Sequence, residues 1–229
     1  MNSFATGARP HISKVEHSAA AREVARPSAW CTSRGKRIFD AVAAALLLLP
    51  AFPFMAIAGV LVKTSRGPIF YGCERVGQGG RPIRVLKFRT MRPATKLGLQ
   101  LTRKGDNRIT PAGRFLRKWK LDELPQLVNV VTGDMSLIGP RPDSAEYLNA
   151  LRAEHRAVLA LKPGIASVAS LRFRNEEEFL SGIAKDELEG YYVQNLLPEK
   201  IRLDLEYAHH ASFFTDLKLL LKTAVAILR

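Results

Sequence analysis

Asp122 and Glu123 stand side by side after the basic run that ends at Lys120, and an apolar stretch follows them from Leu124. Further on, Arg141 is held between Pro140 and Pro142. A positioned, ionised carboxylate can attack phosphorus when the phosphate oxygens are neutralised. Successive helical residues point about 100° apart, so the two acids cannot act on one atom. One then suits bond formation. The other suits a hard divalent cation such as Mg²⁺, which takes few protein ligands and several phosphate oxygens. The prolines restrict the backbone of Arg141 and pre-set its guanidinium for bidentate phosphate capture. The plainer account of an Asp-Glu pair is a helix N-terminus, where the dipole favours acids. Asp134, after Gly133, suits a turn or cap in the same way.

The charge around this pair is uneven. The chain of 229 residues carries a net charge of +14 with 47% hydrophobic and 24% charged residues, enough apolar matter for a sizeable core. Between Arg81 and Lys120 there are 13 basic residues and one acid, Asp106. Such a field attracts phosphates on nucleotides, nucleic acid or lipid head groups, and it should keep both carboxylates ionised. A non-catalytic, membrane-anchored polyanion-binding protein is the alternative that this charge also allows. Cys31 and Cys73 are far apart and in no metal-ligand spacing, which argues for a reducing compartment. There is no His/Cys metal cluster, serine-base arrangement or P-loop, and His209 and His210 read as surface residues. Residues 1–33 lack the apolar run of a secretory signal and read as a poorly ordered tail.

Residues 41–62 contain no charged side chain. As a helix they would reach about 33 Å, enough to span a bilayer. Pro50 and Pro53 interrupt them, so halves over 38–49 and 54–62 would each reach only roughly 13–18 Å. Both flanks are basic, with Arg34, Lys36 and Arg37 before and Lys63 and Arg66 after. Positive charge favours the cytoplasmic side at each end. A helix that turns at the prolines and leaves by the face it entered satisfies both facts.

Residues 68–76 and 82–88 read as a β-hairpin joined by the Gly77–Gly80 turn, which is not a dinucleotide fingerprint because a strand follows it. Residues 93–108 read as a polar loop. A helix opens at Thr110-Pro111 with Phe115 and Trp119 facing the core, another follows the carboxylates and ends near Gly133, and 143–160 and 176–190 look helical. Residues 212–229 suit either the membrane interface or packing on the domain.

These pieces resemble the bacterial sugar transferases, the small monotopic phosphoglycosyl transferases. The matching residues are Lys36-Arg37-Ile38-Phe39-Asp40, Lys87-Phe88-Arg89-Thr90-Met91, the block from Lys120 to Pro142, Lys162-Pro163-Gly164-Ile165, Asp204 with Tyr207, and Ser212-Phe213. They occur in the family's order from about residue 34 to the C-terminus. The resemblance implies an α+β fold with a mostly helical cytoplasmic domain, a small β-hairpin and a re-entrant, Pro-broken membrane helix. The expected organisation is a tail over 1–33, the membrane helix over 34–66 and a catalytic domain over 67–229. The implied activity moves a sugar-1-phosphate from a nucleotide diphosphate sugar, a UDP-sugar by expectation, to polyprenyl (undecaprenyl) phosphate. This reaction initiates exopolysaccharide, O-antigen or other glycoconjugate synthesis, lipopolysaccharide included.

In such enzymes Asp122 would be the nucleophile and form a covalent phosphosugar intermediate, with Glu123 positioning Mg²⁺. Arg117, Arg141 and Arg174 match arginines around the phosphate site, and Lys87 and Arg89 are further candidate contacts. Expected partners are the nucleotide sugar, the polyprenyl phosphate and membrane lipid, with a homodimer as a candidate assembly and no nucleic acid. The expected location is the cytoplasmic face of the bacterial inner membrane. Two departures stand out. The family's Ser-Pro break is Leu49-Pro50 here, without a hydroxyl at the bend, and Ala166, Ser167 and Ser170 replace the common polar residues after Gly164.

Overall fold

The computed structural model describes residues 26–65, 67–92, 101–102, 105–149 and 153–228. Helix α1 (Arg34–Lys63) has 30 residues, about 45 Å at 1.5 Å per residue. Ser33 caps its start by accepting a hydrogen bond from the Lys36 N–H at 2.9 Å. Pro50 and Pro53 lie inside it, which corrects the expected break into two halves. Each proline removes one helical hydrogen bond and costs about 3 kcal/mol. That loss is local, whereas Lys36, Asp40, Ala44, Ala51, Ala58 and Val62 bury one face along the helix's length. The opposite face, with Ile38, Val42, Leu46, Leu49, Phe52 and Val60, is apolar and exposed.

Both ends of α1 are fastened to the same body. Near its start, the Arg37 guanidinium donates to the Val130 and Val131 carbonyls at 2.6 and 2.7 Å. Near its end, Ala58 and Val62 pack with Phe88 and Leu116. Among the described residues, α1 is the one helix long and apolar enough to cross a membrane.

Strands β1 (Phe70–Val76) and β2 (Pro82–Phe88) form the expected antiparallel hairpin, in register from Phe70 with Phe88 to Val76 with Pro82. Helix α2 (Pro111–Lys118) is capped by Thr110, whose hydroxyl accepts from the Gly113 N–H at 2.9 Å. Gly113 permits a close approach, because a Cβ there would come within 2.1 Å of the Thr90 carbonyl oxygen. The buried face of α2 is Gly113 and Leu116. Phe115 and Trp119 are exposed instead of entering the core.

Helix α3 (Gln126–Thr132) follows the carboxylate pair and ends at Gly133, where φ is 97°. It leads into a short strand pair not among the expected elements, β3 (Ser136–Ile138) parallel to β4 (Gly164–Ala166). Three-residue strands give almost no periodic signal. The expected helix over 143–160 is α4 (Ala145–Asn149) followed by a 3-10 stretch, Ala153–Ala160. Helix α5 (Val168–Arg172) comes next, and residues 176–190 divide into α6 (Glu176–Ser181) and the first turn of α7 (Leu188–Tyr191). A π turn, Tyr192–Leu196, joins α7 to α8 (Leu197–His210), which is also not among the expected helices. Helix α9 (Phe213–Leu228) closes the described chain.

Besides the Ala58–Val62–Phe88–Leu116 cluster, two larger apolar clusters carry the body. Ala44, Val85, Leu127, Val130, Met135 and Leu137 join α1, β2, α3 and β3. Tyr147, Val158, Leu180, Leu188, Leu197 and Ile201 join the helices beyond β3. Residues 26–33, expected as part of the tail, are folded. The Ser28 N–H donates to the Ala208 carbonyl at 2.8 Å, and Ala29–Thr32 forms a 3-10 turn. The rest of that expected tail, 1–25, lies outside the described residues, as do 93–100 and 103–104 of the expected polar loop.

Candidate active site

The chain enters the site by a reversal. Trp119 ends α2, and Lys120 then adopts a left-handed conformation with φ 54°, the one positive φ outside glycine among the described residues. A lysine there carries a local conformational cost. The reversal puts Asp122 and Glu123 on the 3-10 turn Leu121–Glu123, just ahead of α3.

Glu123 sits among cations. Arg141 Nη2 donates to Oε1 at 2.5 Å, Arg141 Nη1 lies 3.4 Å from Oε2, and Lys87 Nζ donates to Oε1 at 3.2 Å. Burial opposes charge on this carboxyl, but Arg141 and Lys87 outweigh it and hold Glu123 well below the usual carboxylate range. Asp122 behaves differently. It is 7% exposed, and its Oδ1 is enclosed with no hydrogen-bond partner among the described residues. Burial, reinforced by the neighbouring Glu123 charge, pushes its carboxyl up from the ordinary value, against the pull of Lys87, Arg117 and Lys120. The two neighbouring acids are thus shifted in opposite directions, Glu123 toward the charged form by Arg141 and Lys87 and Asp122 away from it by burial. An enclosed acceptor without a partner costs about 1–3 kcal/mol, and native folds rarely keep one without a use.

Arg141 is held by its backbone. Gly139 and Gly164 cross so closely that a Cβ on Gly164 would fall 2.1 Å from the Gly139 nitrogen. The Gly139 N–H donates to the Ala166 carbonyl at 3.1 Å, and the Gly164 N–H to the Pro140 carbonyl at 2.9 Å. Buried Asp204 accepts from the Ala169 N–H at 3.2 Å and from the backbone of Arg141. Burial raises the Asp204 carboxyl to about 7.

Of the seven expected site residues, Asp122, Glu123, Arg141 and Lys87 come together. Arg117 is in the electrostatic reach of Asp122 and makes an ion pair with Glu177 of α6. Arg89 turns away to the end of α1, with Nη2 3.5 Å from the Val62 carbonyl. Arg174 lies in a groove along α9.

The residues present suit a Mg²⁺ ion. Asp122 Oδ1 has no partner, and Glu123 Oε2 has a single long contact. One or two carboxylates beside a phosphate site are the usual protein share for this ion. Among the described residues no cluster of three or more His, Cys, Asp or Glu side chains competes for a metal.

Two contributors escape the sequence reading. Gln126, 2% exposed, has an enclosed Nε2 without a partner, and it follows Asp122 by four residues, on the same helical face. Asn129, a further three residues on, joins α3 to the free edge of β2. Its Nδ2 donates to the Arg84 carbonyl at 2.9 Å and its Oδ1 accepts from the Leu86 N–H at 2.9 Å. That clamp sets the strand position of Lys87. The signal was a polar stripe, Asp122, Gln126 and Asn129, on the buried side of a short apolar helix.

The arrangement joins a partnerless buried carboxylate, an ionised neighbour and converging cations. It suits attack on a phosphoryl group. The profile of the family described as Bacterial sugar transferase matches residues 31–229. The chain is 36% identical over 198 residues to the UDP-glucose:undecaprenyl-phosphate glucose-1-phosphate transferase of Caulobacter vibrioides, covering 84% of this chain and 69% of that protein. It is 32% identical over 209 residues to the exopolysaccharide production protein ExoY of Rhizobium meliloti, covering 84% of each. It is 33% identical over 210 residues to the undecaprenyl-phosphate galactose phosphotransferase of Salmonella typhimurium, covering 85% of this chain and 40% of that longer protein. The chain belongs to the bacterial sugar transferases.

Proposed function

We propose that this transferase moves a sugar-1-phosphate from a UDP-sugar to undecaprenyl phosphate through a covalent intermediate on Asp122. The observation that carries the reading is the partnerless Asp122 Oδ1 beside a Glu123 already neutralised by Arg141 and Lys87. The names of the relatives support the donor and acceptor classes. They differ in the sugar, glucose in one and galactose in another.

In the first step an Asp122 carboxylate oxygen attacks the phosphorus that bears the sugar. The bond from that phosphorus to the bridging oxygen breaks, and UMP leaves with the oxygen and its electron pair. In the second step a phosphate oxygen of the lipid attacks the same phosphorus and the Asp122 carboxylate leaves. The product is a polyprenyl diphosphate sugar. Arg141 and Lys87 hold Glu123 ionised and offer positive charge to the transferring phosphoryl oxygens. Arg117 exchanges Glu177 for a donor phosphate. Mg²⁺, held by Glu123 with Asp122 beside it, would neutralise the donor diphosphate when bound. Gln126 Nε2 orients the nucleophile or the adduct on the same helical face.

The chain works as a monotopic protein on the cytoplasmic face of the inner membrane, with α1 entering and leaving by that face through a bend at Pro50 and Pro53 within one continuous helix. Support comes from the fastening of both ends of α1 to one body and from its continuous exposed apolar face. Single cysteines at Gly35 and Ser65, in a background lacking Cys31 and Cys73, should both react from the cytoplasmic side. Labelling from opposite sides would rule out the re-entrant helix.

The activity is tested with purified protein, Mg²⁺, undecaprenyl phosphate and a panel of UDP-sugars. A lipid diphosphate sugar, UMP release and ping-pong kinetics are expected. Sequential kinetics with full activity in Asp122→Asn would remove the covalent route.

A further inference from the structure

Helix α6 opens on three acids, Glu176, Glu177 and Glu178, and the first two meet cations on different sides. Glu176 turns inward. It accepts from Lys200 Nζ of α8 at 2.9 Å, and that lysine is 6% exposed and lies 3.4 Å from the Tyr192 hydroxyl. Glu177, the next residue, points about 100° away and pairs with Arg117 of α2. Its side chain is 47% exposed against 23% for the arginine, so the acid can swing into solvent while the cation stays.

This pair is not what holds α6. Leu180 is 1% exposed in the cluster with Tyr147, Leu188 and Leu197, and Lys200 fastens the first turn. An ion pair so open to water adds little stability. Its position says more. Arg117 lies in the electrostatic reach of Asp122, while Lys87 and Arg141 are taken up by Glu123. Arg117 is therefore a cation near the nucleophile whose partner can leave without disturbing the carboxylate pair.

Phosphate chemistry gives such a partner a task. In a nucleoside diphosphate sugar the phosphate next to the nucleoside carries a single negative charge. After transfer it is a monoester, with about −1.5 to −2 charge at pH 7. A cation that simply awaited phosphate would hold the product more tightly than the substrate. A carboxylate tethered beside that cation competes with both and reclaims it when the nucleotide leaves.

We propose that Glu177 is an internal counter-ion of the donor site, which yields Arg117 to the nucleoside-side phosphate and takes it back from the leaving nucleoside monophosphate, limiting product inhibition. The assignment rests on the proposed transfer from a UDP-sugar. It adds a determinant of donor affinity and product release that lies outside the carboxylate pair.

The test compares full-chain wild type, Glu177→Gln, Arg117→Gln and the double variant, with UMP as the probe because every UDP-sugar releases it. UMP binding is measured by calorimetry at one low ionic strength, beside turnover with a UDP-sugar and undecaprenyl phosphate. Glu177→Gln should tighten UMP, strengthen its inhibition of turnover and lower the KM for the UDP-sugar, each by about three- to fivefold, the range of a half-exposed ion pair. Its melting temperature should not change. In the Arg117→Gln background the same substitution should leave UMP binding unaltered. Unchanged or weaker UMP binding by Glu177→Gln would overturn the proposal. So would equal tightening without Arg117, which would make Glu177 a distant charge, or a lower melting temperature with unaltered UMP inhibition, which would make the pair a fastener of α6. Proteins that follow the expected UMP pattern but form no lipid product would uphold the counter-ion and defeat the transfer reaction itself.

Discussion

Two clusters in this molecule use the same materials and end in opposite states. At the joint between α1 and α9, Lys36 lies 2.6 Å from Asp216 and 3.7 Å from Asp40. Asp216 also accepts from Trp30 Nε1 at 2.9 Å and from the Tyr207 hydroxyl, and Asp40 accepts from the Ser136 hydroxyl at 2.7 Å and the Leu137 N–H at 3.2 Å. Both carboxylates there have charged and neutral partners. At the candidate site two cations converge on Glu123, and the adjacent Asp122 keeps an oxygen with no partner. A closed network of buried charges is a fastener. A network left one bond short is a place where a ligand can complete it.

The largest expected effect comes from removing the unsatisfied charge. Asp122→Asn should lower lipid-diphosphate-sugar formation by about a thousandfold or more while leaving the melting temperature equal or higher, because burial already disfavours that carboxylate. Unfolding of this variant would make Asp122 part of the fastener class instead. Next comes the closed network. Lys36→Met should cost on the order of 3–5 kcal/mol in detergent-based unfolding, since buried carboxylates would lose their cation. A neutral outcome would erase the contrast between the clusters.

Asn129→Ala should cost about 2 kcal/mol, leaving the Leu86 N–H and Arg84 carbonyl without their side-chain partner. Activity should fall further than stability explains, because Lys87 loses its register. Within any one pH unit, the smallest effect belongs to Asp204. Its folded-state value of about 7 stands above that of an unfolded aspartate, so its stabilisation is complete below about pH 4 and lost as pH rises through 7. Unfolding free energies of wild type and Asp204→Asn should converge or cross over that window, changing by on the order of 1 kcal/mol per pH unit. Parallel pH profiles would remove the burial penalty assigned to Asp204.

The hairpin and the helices around the carboxylates were legible because their patterns are local. Alternating residues and a glycine turn mark β1 and β2, and Thr110-Pro111 marks α2. The charge of the Arg81–Lys120 segment pointed to the region that holds Lys87 and the carboxylate pair, and Arg141 was singled out by its flanking prolines. What stayed hidden depends on distant partners. Pro50 and Pro53 read as a break, yet the buried stripe from Lys36 to Val62 keeps α1 continuous. Phe115 and Trp119 have core-like spacing, but the close approach at Gly113 buries Leu116 in their place. Neither the β3–β4 pair nor the Asn129 clamp is visible locally, since each needs a chain segment dozens of residues away. Arg89 and Arg174 share the charge of the site residues while the fold sends them elsewhere, one to the end of α1 and one to α9.

The most direct measurement is intact-mass analysis of the protein mixed with Mg²⁺ and a UDP-sugar in the absence of lipid acceptor, followed by peptide mapping. The account predicts a mass gain of one phosphosugar, located on Asp122, absent from Asp122→Asn and discharged when undecaprenyl phosphate is added. An adduct on another side chain would contradict it, as would lipid-linked product formed at full rate by Asp122→Asn.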